Sequence, residues 1–103
     1  MLEFVRKLEA SGPADRAALD ADEHLAGFLV LQFTWLGEAA TRLAAPFKDA
    51  HPEVAWRQII NLRHRLVHDY EHIDYDVLWR ILRDDVPALR AQLERLAAAE
   101  GLG

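Results

Sequence analysis

The feature that most constrains the fold is a long helical segment, residues 20–43, that carries apolar side chains around most of its circumference. One face holds seven apolar positions, and three large side chains, Leu31, Phe33 and Trp35, lie off that face. The seven are Leu25, Phe28, Leu29, Leu36, Ala39, Ala40 and Leu43. A helix that is apolar on several sides must be covered on each of them. Four or five short helices of one chain cannot do this, so the segment predicts that a second copy packs against it.

The rest of the sequence also favours helices, because Ala, Leu, Arg and Glu dominate and no alternating β-branched run predicts a strand. Asp20 or Asp22 can cap the long helix, and Pro87 suits the first turn of the last one. The predicted helices cover residues 2–8, 20–43 and 52–70, followed by one capped by Asp74 and one that runs from a cap at Asp84 or Asp85 to Gly101. We therefore predict a single all-α domain over residues 1–103, an up-and-down bundle of four to five helices that forms a dimer.

Composition limits the possible functions. The 103 residues carry a net charge of −5, so any attraction for nucleic acid must come from a local basic patch. The chain contains no cysteine, which excludes disulfides and thiolate catalysis. Its longest uncharged central run, residues 25–37, is shorter than the roughly 20 apolar residues of a membrane-spanning helix. We expect a cytoplasmic protein that does not bind a membrane.

The predicted third helix combines an apolar face with polar groups that can act on a phosphodiester. On a helical wheel of about 100° per residue, Arg63 falls within the apolar arc, where a guanidinium needs a partner or a task. Glu38 of the long helix is one possible partner. A second row, spaced four, three and four residues apart, contains Arg57, Asn61, His64 and His68.

This row predicts cleavage of RNA. A histidine can take a proton from a ribose 2′-hydroxyl or give one to the leaving 5′-oxygen near neutral pH. An arginine can stabilise the charge that builds on the non-bridging phosphate oxygens. No metal ion is needed for that reaction. Residues 57–72 contain three arginines and three histidines against only two acids, Asp69 and Glu71.

The sequence from Arg63 to Tyr70 resembles the R-x4-H-x-Y signature of HEPN domains, in particular that of the HepT-like toxins. Three further segments are similar to the same family in the same order, and the likeness extends over roughly residues 25–97. These segments are Leu-Gly-Glu-Ala-Ala at residues 36–40, Pro-Glu-Val-Ala-Trp-Arg-Gln-Ile at 52–59, and residues 74–89.

The resemblance implies a helical dimer that brings two R-x4-H motifs into one cleft. It further implies a metal-independent endoribonuclease toxin, without a cofactor, whose partner is a minimal nucleotidyltransferase antitoxin. That antitoxin would silence the toxin by transferring AMP to Tyr70. The catalytic residues would be Arg63 and His68, whereas His64 departs from the polar residue usual at its position.

Other roles follow less directly. His64, Arg57 and Asn61 would assist by binding the RNA backbone, and Glu38 would orient Arg63 or His68 or be a solvated glutamate. Tyr70 is alternatively a core residue.

Two other functions compete with the nuclease. In the first, the helices form a non-catalytic subunit that only binds a nucleotidyltransferase or nucleic acid. Alternatively, three histidines spaced four residues apart, with two nearby aspartates, suit a zinc site. That ligand set would be His64, His68, His72, Asp69 and Asp74.

Overall fold

A computed structural model describes residues 1–68 and 72–100, His68 by its backbone alone. The predicted all-α class is confirmed. In chain order the elements are α1 (Leu2–Ser11), α2 (Arg16–Asp20), α3 (Glu23–Arg42), α4 (Ala45–Ala50), α5 (Trp56–Ile60), α6 (Leu62–Leu66), β1 (Val67–His68), β2 (His72–Ile73), α7 (Tyr75–Arg80), a π-helical segment (Ile81–Asp85) and α8 (Val86–Ala99). The short antiparallel ladder, which pairs Val67 with Ile73 and His68 with His72, was not expected from the sequence.

The long helix α3 is the centre of the fold, and its ends are set by side chains. Asp22 caps its first turn by accepting a hydrogen bond from the amide of Leu25 at 2.9 Å. Of the two predicted caps, Asp22 is therefore the correct one, because Asp20 ends the separate helix α2. At the other end, the Lys48 ammonium donates to the Ala40 carbonyl at 3.1 Å, which places a positive charge at the negative end of the helix dipole.

One side of α3 supplies the middle of the core. Its fully buried members include Leu29, Phe33 and Leu36, and α5 and α6 both pack against this helix. Phe33 is therefore covered by this chain itself, contrary to the expectation that a second copy covers it. The predicted core position Phe28 is also wrong, because its side chain lies on the opposite side and is 48% exposed.

The N- and C-terminal helices pack against each other. Val5 and Leu8 of α1 and Leu89 and Leu93 of α8 are buried in one core. At the edge of this contact, the Arg90 guanidinium donates to the carboxylates of Glu9 at 2.6 Å and Glu94 at 3.3 Å. These two hydrogen bonds raise the pKa of Arg90 above its ordinary value.

The two predicted C-terminal helices are one continuous helix with a π-helical segment between them. The predicted cap at Asp84 or Asp85 is wrong, because Asp85 has helical backbone angles and makes no cap hydrogen bond. The Val86 amide instead bonds to the Ile81 carbonyl, five residues back. Pro87 has no amide to donate and its ring would crowd a regular turn, so the wider turn lets the helix pass the proline. The predicted cap Asp74 is confirmed by its bond from the Val77 amide at 3.1 Å.

Two glycines of α3 differ sharply in their surroundings. A Cβ built on Gly37 would lie 3.1 Å from the Ile59 carbonyl oxygen and 3.2 Å from that of Ile60. The missing side chain thus lets the end of α5 approach the backbone of α3. A Cβ on Gly27 would meet nothing within 4 Å. No helix among residues 1–68 and 72–100 is long and apolar enough to cross a membrane.

The two glycines predict opposite effects of the same substitution. Gly37→Ala should lower the free energy of unfolding by about 1–3 kcal/mol, because two backbone carbonyls must move away from the new methyl group. Gly27→Ala should raise it by roughly 0.5–1 kcal/mol, because alanine loses less backbone entropy in a helix. Urea denaturation of both variants measures the difference. Equal effects at the two positions would contradict the close approach at Gly37.

Candidate active site

The predicted third helix is shorter than its sequence suggests and is interrupted. It begins at Trp56 rather than at Pro52, breaks at Asn61 and ends at Leu66 rather than at Tyr70. Asn61 lies between α5 and α6 with φ −94° and ψ 9°, which is outside the regular helical range. Val67 then has extended backbone angles and begins β1. The helical wheel of residues 56–70 therefore does not describe this segment beyond Leu66.

Arg63 is exposed to solvent, which corrects the prediction that it points into the core. The core side of α5 and α6 consists of Ile59, Leu62 and Leu66, and Arg63 lies beside this row. Its guanidinium makes no ion pair or hydrogen bond with any residue that the structure describes. The expected pairing with Glu38 is absent from the described contacts, and Glu38 is exposed on α3.

The assisting residues predicted from the sequence also lie on the surface. Arg57 on α5, Asn61 at the break and His64 on α6 are all exposed. Within residues 1–68 and 72–100, neither Arg57 nor His64 has a charged or hydrogen-bonded partner. With Arg63, these side chains form what we call the basic face. Its positive groups are available to an anionic ligand.

Arg65 is the exception among the arginines of this segment. It is half-buried and its guanidinium lies 3.4 Å from the Asp85 carboxylate of the π-helical segment. This contact joins α6 to the C-terminal helix, and no role for Arg65 was predicted from the sequence. The signal in the sequence was the two-residue spacing, because positions two residues apart face different sides of a helix and Arg63 and Arg65 cannot share one face.

Two of the predicted site residues fall wholly or partly outside the described residues. The backbone of His68 lies in β1, directly after α6, and pairs with His72 of β2. His68 thus follows the helix instead of continuing the row of Arg57, Asn61 and His64. Its side chain, like the whole of Tyr70, lies outside the described residues, and the roles assigned to both stay predictions.

The zinc alternative involves the same segment. Two of its five ligands, the His68 side chain and Asp69, are outside the described residues. Among the side chains that the structure describes, no group of three or more His, Cys, Asp or Glu could hold a metal ion.

Comparison with known proteins identifies the family. The profile of the "Ribonuclease HepT-like" family matches residues 1–96. The chain belongs to this family. This confirms the family that the segment from Arg63 to Tyr70 predicted.

Curated relatives carry matching names. A "Probable ribonuclease HepT" from Thermococcus cleftensis is 38% identical over 61 residues, which cover 59% of this chain and 56% of the relative. A "Putative RNase" from Methanocaldococcus jannaschii is 37% identical over 59 residues, 57% of this chain and 54% of the relative. The matched part is thus about half the length of these relatives. No solved structure matches.

The exposure of the basic face predicts that its side chains do not stabilise the fold. Arg63→Ala, Arg57→Ala and His64→Ala should each change the free energy of unfolding by less than about 0.5 kcal/mol. Leu66→Ala, a matched truncation of a buried neighbour, should cost about 2–5 kcal/mol. Chemical denaturation of the four variants checks this. A loss above about 1 kcal/mol in Arg63→Ala would mean that its guanidinium is buried or paired, as the wheel suggested.

Proposed function

We propose that this chain is a metal-independent endoribonuclease that cleaves RNA through attack by the ribose 2′-hydroxyl. The observation that carries the proposal is the basic face: Arg57, Arg63 and His64 are exposed and have no partner in the described residues, within a chain whose net charge is −5. Membership in the ribonuclease HepT-like family and the names of the curated relatives support the same chemistry.

The proposed reaction is a transesterification. The 2′-oxygen attacks the adjacent phosphorus, and the bond from phosphorus to the 5′-oxygen breaks. His68 acts as general acid and base, taking the proton of the 2′-hydroxyl or supplying one to the leaving 5′-oxygen. Arg63 stabilises the added charge on the non-bridging oxygens. The products are a 2′,3′-cyclic phosphate and a 5′-hydroxyl, and DNA is not cut because it lacks the nucleophile.

The remaining polar residues bind the substrate. Arg57 and His64 contact neighbouring phosphates, where charge-assisted hydrogen bonds are strong and sequence-independent. The Asn61 amide lies between them in the row and binds a phosphate or ribose oxygen.

We propose further that the active form is a homodimer. Phe28, Leu31 and Trp35 are 48%, 44% and 52% exposed and follow each other at three and four residues along one side of α3. A stripe of large apolar side chains at this spacing suits packing against another helix. A second copy packed on it would place two basic faces in one particle and supply two His68 side chains to one RNA strand.

The cellular role that fits this activity is that of a toxin with a minimal nucleotidyltransferase antitoxin. In the proposed silencing step, the Tyr70 hydroxyl oxygen attacks the α-phosphorus of ATP. The bond to the β-phosphate breaks, pyrophosphate leaves, and the phenolic proton passes to a base of the transferase. An adenylyl group two residues from His68 would block the approach of a phosphodiester to that histidine.

The nuclease proposal predicts loss of cleavage from single substitutions. The purified protein should cleave RNA in EDTA. His68→Ala should slow cleavage about 10²- to 10⁴-fold, because general acid–base catalysis contributes that much. Arg63→Ala should slow it about 10²- to 10³-fold, as expected for loss of one charge-stabilising group. Single-turnover cleavage of a labelled RNA measures both rates.

The matched control is Arg95→Ala, which removes an exposed arginine of α8 that has no partner in the described residues. It should cleave at the unaltered rate. Full activity in both His68→Ala and Arg63→Ala would contradict the assignment. Products with 3′-hydroxyl and 5′-phosphate ends would show that water is the nucleophile. A protein that is inert on RNA but binds a nucleotidyltransferase would instead be a non-catalytic subunit.

The dimer proposal predicts a change of mass. Trp35→Glu should convert the dimer to a monomer, because a desolvated carboxylate in an apolar helix contact has no counter-charge there. Light scattering after size-exclusion chromatography gives the mass directly. Ala98→Glu, on an exposed position of α8, is the control and should leave the dimer intact. A monomer in the unaltered protein, or a dimer in both variants, would contradict the role of the stripe.

A further inference from the structure

An open groove adjoins the basic face at its N-terminal end. It has a volume of about 500 Å³ and runs between the end of α4 and the start of α5. Its wall includes Lys48, Pro52, Trp56, Arg57 and Gln58, with Val54 at its floor. Trp56 belongs to the family-like segment at residues 52–59, and nothing in the sequence predicted the groove.

The aromatic side of this groove is held in a fixed orientation. The Trp56 indole donates from Nε1 to the His51 carbonyl at 3.0 Å, and its ring is tilted against Phe47 with 6.4 Å between ring centroids. The His51 ring is itself held between Glu100, 2.7 Å from Nε2, and Glu53, 3.3 Å from Nδ1. A planar group held in this way loses little entropy when a ligand stacks on it.

The charges around the groove favour one orientation of an anionic strand. Arg57 belongs both to the groove and to the basic face, and its guanidinium has no partner among the described residues. Lys48 lies at the other edge, where it already bonds to Ala40, and Asp49 beside it repels phosphate. A nucleotide bound here would therefore place its phosphate near Arg57 and its base over Trp56.

We propose that this groove is a binding subsite for one nucleotide of a single-stranded RNA. The inference rests on the proposed nuclease function. Arg57 is shared by the groove and the basic face, so a strand whose base lies in the groove continues along the face that carries Arg63. Single-stranded RNA is the substrate class, because a base inside a duplex cannot stack on a protein ring.

The first test measures binding separately from cleavage. An RNA oligonucleotide with 2′-O-methyl groups throughout cannot be cleaved by the proposed reaction, and fluorescence anisotropy gives its affinity. Trp56→Phe and Trp56→Leu both lose the hydrogen bond to His51, but only the phenylalanine keeps a flat ring. The leucine variant should bind about 5- to 100-fold more weakly than the phenylalanine variant, as expected for one stacked base.

The second test uses charge. Arg57→Gln should reduce the slope of log affinity against log salt concentration by about 0.7, the value for one phosphate contact on a single strand. Arg95→Gln, with the same change of charge on α8, should leave the slope unchanged. Equal affinity of the two Trp56 variants together with an unchanged slope in Arg57→Gln would overturn the subsite.

The third test measures the fluorescence of the Trp56 indole, and it needs no substitution that weakens RNA binding. With Trp35→Phe and Trp79→Phe combined, Trp56 is the only tryptophan left. Saturation with the oligonucleotide should then quench its fluorescence. An unquenched indole in a saturated complex would overturn the subsite and leave the nuclease proposal intact. Failure of the unaltered protein to bind RNA at all would overturn both.

Discussion

The close contact between α3 and the end of α5 at Gly37 determines where the basic face lies. With no side chain at this position, the carbonyls of Ile59 and Ile60 sit against the α3 backbone. The break at Asn61 follows directly after this contact, and α6 continues to pack against α3. In α6, Leu62 and Leu66 are buried in the core, whereas Arg63 and His64 are exposed to solvent. Exposure of these cations therefore follows from backbone packing.

The arginines differ in whether they have a carboxylate partner. Arg16, Arg65, Arg83 and Arg90 each have a carboxylate partner, and in several cases the pair joins different helices. The arginines of the basic face have none within the described residues, and neither do Arg42 and Arg95. Surface ion pairs contribute little stability, so leaving two arginines unpaired costs the fold little. The basic face differs from these isolated arginines because Arg57, Arg63 and His64 are close in sequence and can contact one anionic ligand together.

The sequence predicted what depends on local signals. Helix class, the cap at Asp74 and the long helix follow from propensity and from side chains that act within a few residues. The end of α6 and the side on which Arg63 lies did not follow, because they depend on the contact with α3. A helical wheel assumes an unbroken helix, and the break at Asn61 invalidates it. Pro87 led to the opposite error. It predicted the start of a new helix, whereas the helix continues through a wider π-helical turn just before the proline.

That wider turn has a consequence for the direction of the C-terminal helix. A π-helical turn contains one residue more than an α-helical turn, so everything after it is rotated by about 100° relative to a regular helix. Here α7 packs against α2 and α6, whereas α8 packs against α1. One continuous helix thereby buries one side of α7 against α2 and α6 and a different side of α8 against α1, with no loop between them. The segment from Ile81 to Asp85 thereby fixes the direction in which α8 presents its apolar side to α1, while α7 keeps its contacts with α2 and α6.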